Sequence, residues 1–267
     1  MVKIIYHVRK SCLILLTETY IAEREKGLRA LPKRDGAYLP KDKAGGGDFW
    51  RKDGVGAIQV IDAVGHGYSA LPLKALVMRF VELHSKSNRK EMLFEDIDKF
   101  LNSLPFESSQ IDLLHAEVIE KENNKSYLKL EASGNPRVFI RHNDGSGRVD
   151  WGIPPSLIKK YKNQSSTVKP FPFDHYPQLG HGLLENEELS PTEIELAPKA
   201  DVFIASDGLF EMKTGGDKTF QDQFFDFCEE NKNLSSDEFR EKILKIVYDQ
   251  QAKDELEDDV TFLILHV

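Results

Sequence analysis

A chain of 267 residues, 40% hydrophobic and 30% charged, is long enough to bury a sizeable core and has an ordinary globular composition. Its formal net charge of −8 argues against a non-specific nucleic-acid binder, which needs a basic face, and against an anionic membrane surface as partner. Two cysteines, Cys12 and Cys228, neither in a CxxC pair, give no disulfide or zinc framework and point to a reducing cytoplasm. The apolar run from Cys12 to Leu16 is too short for a secretion signal or a membrane span, so no membrane insertion is expected.

In chain order, Lys3 to Val8 and Leu13 to Ala22 read as strands, the second rich in β-branched and apolar residues. Arg24 to Ala44 is charged and interrupted by Gly27, Pro32, Gly36 and Pro40, and reads as a loop with at most a short helix. Gly56 to Asp62 reads as a buried strand. A helix follows, with Leu73, Leu76, Val77, Phe80 and Val81 at helical spacing and Pro72 in its first turn. A second helix over about Met92 to Asn102 places Phe94, Ile97, Phe100 and Leu101 on one face.

Alternating segments come next: Leu113 to Glu120, a turn at Asn123-Asn124, Tyr127 to Ala132, and Arg137 to Arg141 before the turn Asn143-Asp144-Gly145. They read as antiparallel hairpins. Gly152 to Ser190 holds many prolines and shows no period, so it reads as a long loop with edge pieces. Glu193 to Leu196 and Asp201 to Ala205 are strands. Phe220 to Glu230 is a helix that groups Phe224, Phe225, Phe227 and Cys228. Ser235-Ser236-Asp237-Glu238 has the form of a capping box for a last helix from about Asp237 to Gln251, with Phe239, Ile243, Ile246 and Val247 as its apolar face. Val260 to Val267, apolar nearly throughout, reads as a central strand. The order of strands, helix pair, strand run, helix pair, strand does not fit strict βαβ alternation. It predicts an α+β fold of two antiparallel sheets covered by two helix layers, in a single domain over residues 1–267.

The chemistry concentrates where apolar strands end. Gly45-Gly46-Gly47 precedes Asp48; the run Ile58, Val60, Ile61 delivers Asp62 ahead of Gly65 and Gly67. Val202 to Ala205 ends in Ser206-Asp207-Gly208, and Asp258-Asp259 opens the final strand. One Asp beside Gly is ordinary turn chemistry. Acids at four such strand edges are more than turns require, and carboxylates in that setting suit a hard cation such as Mg²⁺ or Mn²⁺.

The motifs GGGDFW, VIDAVGHG, ASGNP, ASDGLFE and DDVTFLIL occur in the order in which they occur in the PPM (protein phosphatase 2C-like) metal-dependent phosphatases. From Tyr38 to Val267 the chain resembles the SpoIIE/RsbU-type bacterial branch; residues 1–37 match only weakly. The resemblance implies a four-layer αββα sandwich with two Mn²⁺ or Mg²⁺ ions at one end. Asp62 would bridge the ions, Asp207 and Asp258 would complete one site, and Asp48 with the backbone carbonyl of Ala63 would help form the other. Asp259 and Gly208 would support these ligands from behind. His66 is a candidate acid for the leaving alkoxide, set against a simpler part as a hydrogen-bonding turn residue. His84, His115, His142 and His181 have no ligand spacing and read as structural or surface residues. Two ions about 4 Å apart can activate a water for phosphomonoester hydrolysis without a protein nucleophile.

The chain departs from the branch at Ser133-Gly134-Asn135-Pro136, where many relatives read AGHPP, and it shows no counterpart of the phosphate-binding arginine of eukaryotic members. The usual PAS, GAF or receiver domain is missing, which implies a stand-alone domain or one regulated by a partner in trans. The expected activity is a phosphoprotein serine/threonine phosphatase acting on a bacterial signalling protein, such as a STAS-type anti-sigma-factor antagonist. Two other readings stay open: a silent pseudophosphatase that binds a partner, and a small-molecule phosphatase.

Overall fold

The computed structural model describes residues 36–39, 47–52, 57–64, 70–85, 93–104, 109–120, 125–162, 165–184, 190–215, 217–253, 256 and 258–266. The strands expected before residue 24, the Asn123-Asn124 turn and His66 lie outside them.

Thirteen strands are named β1 (Gly36–Leu39), β2 (Phe49–Lys52), β3 (Ile58–Ala63), β4 (Ile111–Glu120), β5 (Ser126–Ser133), β6 (Arg137–Arg141), β7 (Val149–Ile153), β8 (Val168–Pro172), β9 (Thr192–Glu195), β10 (Asp201–Ala205), β11 (Lys213–Gly215), β12 (Lys218–Thr219) and β13 (Val260–His266). The helices are α1 (Leu71–Ser85), α2 (Leu93–Asn102), α3 (Pro155–Tyr161), α4 (Asp207–Glu211), α5 (Phe220–Glu230) and α6 (Ser236–Ala252). A six-stranded sheet runs β1-β13-β10-β6-β7-β8 and a five-stranded sheet runs β2-β3-β4-β5-β9. Every pairing in them is antiparallel except β7 with β8.

Side-chain alternation along the strands sets the layers. Val202 and Ile204 face the second sheet and pack with Val138, Ile140, Ile58, Val60, Leu114, Leu128 and Leu130. Phe203 and Ala205 point the other way, into a core shared with Phe224, Phe239, Ile243 and Val247 of α5 and α6. On the far side of the five-stranded sheet, Ile61, Ala63, Ile111 and Leu113 meet Leu73, Val77, Val81, Phe94, Ile97 and Leu101 of α1 and α2. The result is the expected sequence of layers, helices, sheet, sheet, helices. The helix-side core of the larger sheet is aromatic: Phe139 stacks on Phe203 with ring centroids 4.5 Å apart, and Phe224 meets Phe139 edge-on at 5.1 Å.

The ends of the helices follow local rules. Thr219 caps α5 by accepting from the Asp222 amide at 3.3 Å while Asp222 returns a bond to the Thr219 amide at 3.0 Å. Ser235 and Glu238 form the box read at the start of α6, with Glu238 accepting from the Ser235 amide at 2.8 Å.

Four elements differ from the expectation. Part of the predicted loop before Ala44 is β1, which pairs with β13. The long loop with edge pieces read from Gly152 to Ser190 contains the end of β7, then α3, then β8, which is an edge strand. Trp151 is the anchor there: it is buried against Phe210, Phe224 and Phe225, and Tyr161 of α3 packs on its edge. Phe225 packs against the core that holds Phe224, Phe227 and Cys228, as read on α5, and also stacks on Tyr161 at 5.6 Å. The expected histidine roles fit: His84 bonds Asp96 at 3.1 Å between α1 and α2, His142 bonds Asp150 at 2.7 Å, and His115 bonds Gln59 at 3.3 Å.

Candidate metal centre

The acids read from the motifs converge at one end of the two sheets. Asp62 lies near the end of β3 and pairs across to Asp112 of β4. Asp207 opens α4 directly after β10, and Asp258 sits in the turn before β13. Asp62, Asp207 and Asp258 are each half-buried, and each offers a carboxylate oxygen within 4.8 Å of the others. Asp48, at the start of β2, is fully buried, and among the described residues neither of its oxygens has a hydrogen-bond partner. One oxygen of Asp207 is likewise buried without a partner among the described residues. Buried acceptors are normally satisfied, so these oxygens fit a cation bound among them.

Backbone bonds fix the cluster. The Ser206 amide donates to the Thr261 carbonyl at 2.9 Å and the Thr261 amide to Ser206 Oγ at 3.1 Å, which ties the end of β10 to the start of β13. The Gly47 amide donates to Asp259 Oδ2 at 2.6 Å, and the Ala63 amide to the Gly47 carbonyl at 3.4 Å. Asp259 therefore holds the segment that carries Asp48, while its neighbour Asp258 joins the carboxylate cluster. Gly208 lets α4 lie flush on this turn: a Cβ there would stand 2.0 Å from the Asp259 carbonyl oxygen. Gly208→Ala is expected to cost about 3 kcal/mol, because the opposing atom is backbone and cannot swing aside. Urea unfolding checks this, with an unchanged midpoint counting against the close packing.

The electrostatics match the crowding. Burial raises the Asp48 carboxyl from 3.8 to about 8, and the charge of Asp259 adds to the rise. Asp62 is pushed well above the ordinary carboxylate range by burial and by Asp48, Asp207 and Asp258. Asp207 rises to about 6 through burial, then Glu211 and Asp258. A divalent ion would reverse each of these penalties.

Three residues at the site were not singled out from the sequence. Asp112 is raised by burial to about 6. It accepts from the Asn135 amide and from Gln178 Nε2, both at 2.7 Å. A Cβ on Gly134, whose φ is +73°, would fall 1.8 Å from Asp112 Oδ1, so only glycine lets the Ser133-Gly134-Asn135-Pro136 turn close on this acid. His175 accepts no proton readily: burial, then Arg137, lowers it to about 4, and its ring nitrogen Nδ1 lies 3.1 Å from the Gly134 carbonyl. Arg137 opens β6 just beyond the turn. A shallow depression lined by Val60, Asp62, Asp112, Pro136, Ser206 and Asp207 leads to the cluster.

A sequence model of the family described as Stage II sporulation protein E (SpoIIE) matches residues 52–267. No curated protein sequence matches the chain. Among solved structures, the SiaA-PP2C domain of Pseudomonas aeruginosa is similar with a TM-score of 0.66 at 16% identity, covering 100% of both chains. The PP2C phosphatase domain of SpoIIE from Bacillus subtilis, solved with a fragment of its regulatory domain, gives 0.58 at 16% identity, covering 87% of this chain and 62% of that one. The PPM Ser-Thr phosphatase MsPP from Mycobacterium smegmatis, in complex with cacodylate, gives 0.53 at 13% identity over 86% and 95%. The match over most of the chain, on the layered fold and its carboxylate cluster, shows that the protein belongs to the SpoIIE family of PP2C-type phosphatase domains.

Proposed function

We propose that the protein is a metal-dependent serine/threonine phosphatase that acts in the bacterial cytoplasm on a phosphorylated signalling protein, with a STAS-type anti-sigma-factor antagonist as the class of substrate. The observation that carries the reading is the convergence of Asp62, Asp207 and Asp258 within 4.8 Å at the end of the sandwich. Asp62, Asp207 and Asp258 would hold one Mn²⁺ or Mg²⁺, and Asp62 with Asp48 and the Ala63 carbonyl a second. Bound divalent ions supply positive charge for the phosphoryl oxygens and acidify an attacking water. The chain's own residues orient that chemistry: Asp259 fixes the Asp48 segment, Asp112 holds the Gly134 turn at the rim, and Pro136 and Val60 give the depression apolar walls. His66 would donate a proton to the departing alkoxide. A regulator in trans fits a domain of this kind, and no nucleic acid is involved. Among the described residues no helix is long and apolar enough to cross a membrane.

The test is hydrolysis of p-nitrophenyl phosphate with and without Mn²⁺, followed by phosphoserine and phosphothreonine peptides against sugar phosphates. Turnover that needs Mn²⁺ and favours the peptides is expected. Preference for sugar phosphates would replace the protein substrate by a small molecule. Absence of turnover with a Mn²⁺-induced rise in melting temperature would make this a partner-binding module.

A further inference from the structure

Arg137 is a half-buried cation whose neighbours do not account for it. It pairs with Ala205 in the ladder of β6 and β10, so its side chain leaves the strand two residues from Asp207. By alternation it shares the helix side of the sheet with Phe139, while Val138 faces the other sheet. The groups around it come from separate elements: Asp207 and Glu211 on α4, Asp112 on β4, Tyr161 on α3, Gln221 on α5 and His175 after β8. Yet among the described residues its side chain makes one hydrogen bond, a long one from Nη2 to Gln221 Oε1 at 3.4 Å, and its Nε is buried without a partner. No carboxylate comes within ion-pair reach of it among the described residues, although three face it.

A guanidinium withdrawn from water and left without a bidentate acceptor is costly, and the fork that it presents matches a phosphoryl group. Of the acids that face Arg137, Asp207 is proposed to be neutralised by metal, Asp112 is occupied by Asn135 and Gln178, and Glu211 is exposed on α4 and forms no ion pair with Arg137. With Asp207 and Asp112 engaged, the described residues offer Arg137 no bidentate acceptor, and a phosphoryl group would supply one. Pro136, its neighbour in sequence, lines a shallow depression together with Asp62, Asp112 and Asp207, which places Arg137 beside the carboxylate cluster.

We propose that Arg137 binds the phosphoryl oxygens of the substrate, and inorganic phosphate after hydrolysis, beside the carboxylate cluster. This rests on the phosphatase reading and adds to it a residue that sequence comparison within the branch did not supply.

The experiment uses the full chain loaded with Mn²⁺. Inorganic phosphate is titrated by calorimetry into the wild type, Arg137→Gln and Arg137→Lys, Mn²⁺ affinity is measured for each, and KM and kcat are determined with a phosphopeptide. Arg137→Gln is expected to weaken phosphate and raise KM roughly 10- to 100-fold, the range for a charge-assisted bond, with Mn²⁺ affinity unchanged. Arg137→Lys, which keeps the charge and loses the fork, should fall between and guards against a glutamine variant that does not fold. Phosphate affinity equal to wild type in the lysine and glutamine variants would overturn the proposal. So would a loss of Mn²⁺ affinity that accounts for the whole effect, since Arg137 would then only position Asp207. If the wild type binds phosphate through Arg137 but hydrolyses no phosphomonoester, the anion site stands and the phosphatase reading falls.

Discussion

Replacing Asp62 by asparagine is expected to lower Mn²⁺-dependent turnover about 10³-fold, the scale seen when one preorganised electrostatic group is removed from an active site. The metal-free protein should be no less stable for it. Among the described residues, Asp62 is the acid whose carboxyl feels Asp48, Asp207 and Asp258 together. In the absence of metal its charge only adds repulsion to a half-buried cluster. In the proposed centre it would be the shared ligand, so its removal should also abolish the rise in melting temperature expected when Mn²⁺ binds the wild type. Hydrolysis of p-nitrophenyl phosphate and thermal melts with and without Mn²⁺ separate the two effects. A variant that keeps turnover, or that loses stability only when metal-free, would count against the centre.

Metal-free protein should lose stability as the pH rises from about 4 to about 8, against the usual direction of acid denaturation. Asp48 has a folded-state value raised from 3.8 to about 8, chiefly by burial and then by Asp259. Between those values the folded chain holds a proton that the unfolded chain has released, so stability falls with pH and levels off above about 8. The shift corresponds to something on the order of 5 kcal/mol, comparable to the whole stability of many domains. Asp112 and Asp207, each raised to about 6, push the same way over the lower part of the window. Exposed carboxylates held low by partners, such as Glu238 by Ser235, act oppositely but only below the ordinary value of 4.5. Urea unfolding in chelator at pH 5 and pH 8 checks the sign. Asp48→Asn should flatten the profile, and Mn²⁺ at pH 8 should restore about 2.7 kcal/mol at a hundredfold excess over its Kd. A wild-type profile that is flat or rises with pH in chelator would show that Asp48 is not buried as described.

What could be read from the residues followed from local rules. Alternation gave β4, β5 and β6, helical spacing gave α1 and α2, and the capping box at Ser235 gave the start of α6. Asp48, Asp62, Asp207 and Asp258 were legible because each stands where an apolar run meets a flexible turn, a place where a turn former alone is an insufficient reason. β1, β7 and β8 were not legible, because their patterns make sense only beside a partner. Val168 to Pro172 has two prolines and no alternation, and it becomes a strand through its parallel pairing with β7. Asp112 hid inside an apolar strand, and its role depends on Gln178, 66 residues away. A lone acid inside the apolar run Ile111 to Leu114 was the available signal. Arg137 gave none, since an arginine opening a strand is ordinary until its surroundings are known.

β8 also closes one side of the larger sheet to strangers. In its parallel ladder with β7, alternate residues are committed inward: the Val149 amide donates to the Thr167 carbonyl at 3.0 Å, and the Phe173 amide to the Ile153 carbonyl at 2.9 Å. The outward positions are Val168, Pro170 and Pro172. Proline has no N–H, and the Val168 amide is taken up by Ser165 Oγ at 3.1 Å. That border of the sheet therefore offers no donor row on which another extended chain could build, so copies crowded together are barred from growing a shared sheet across it.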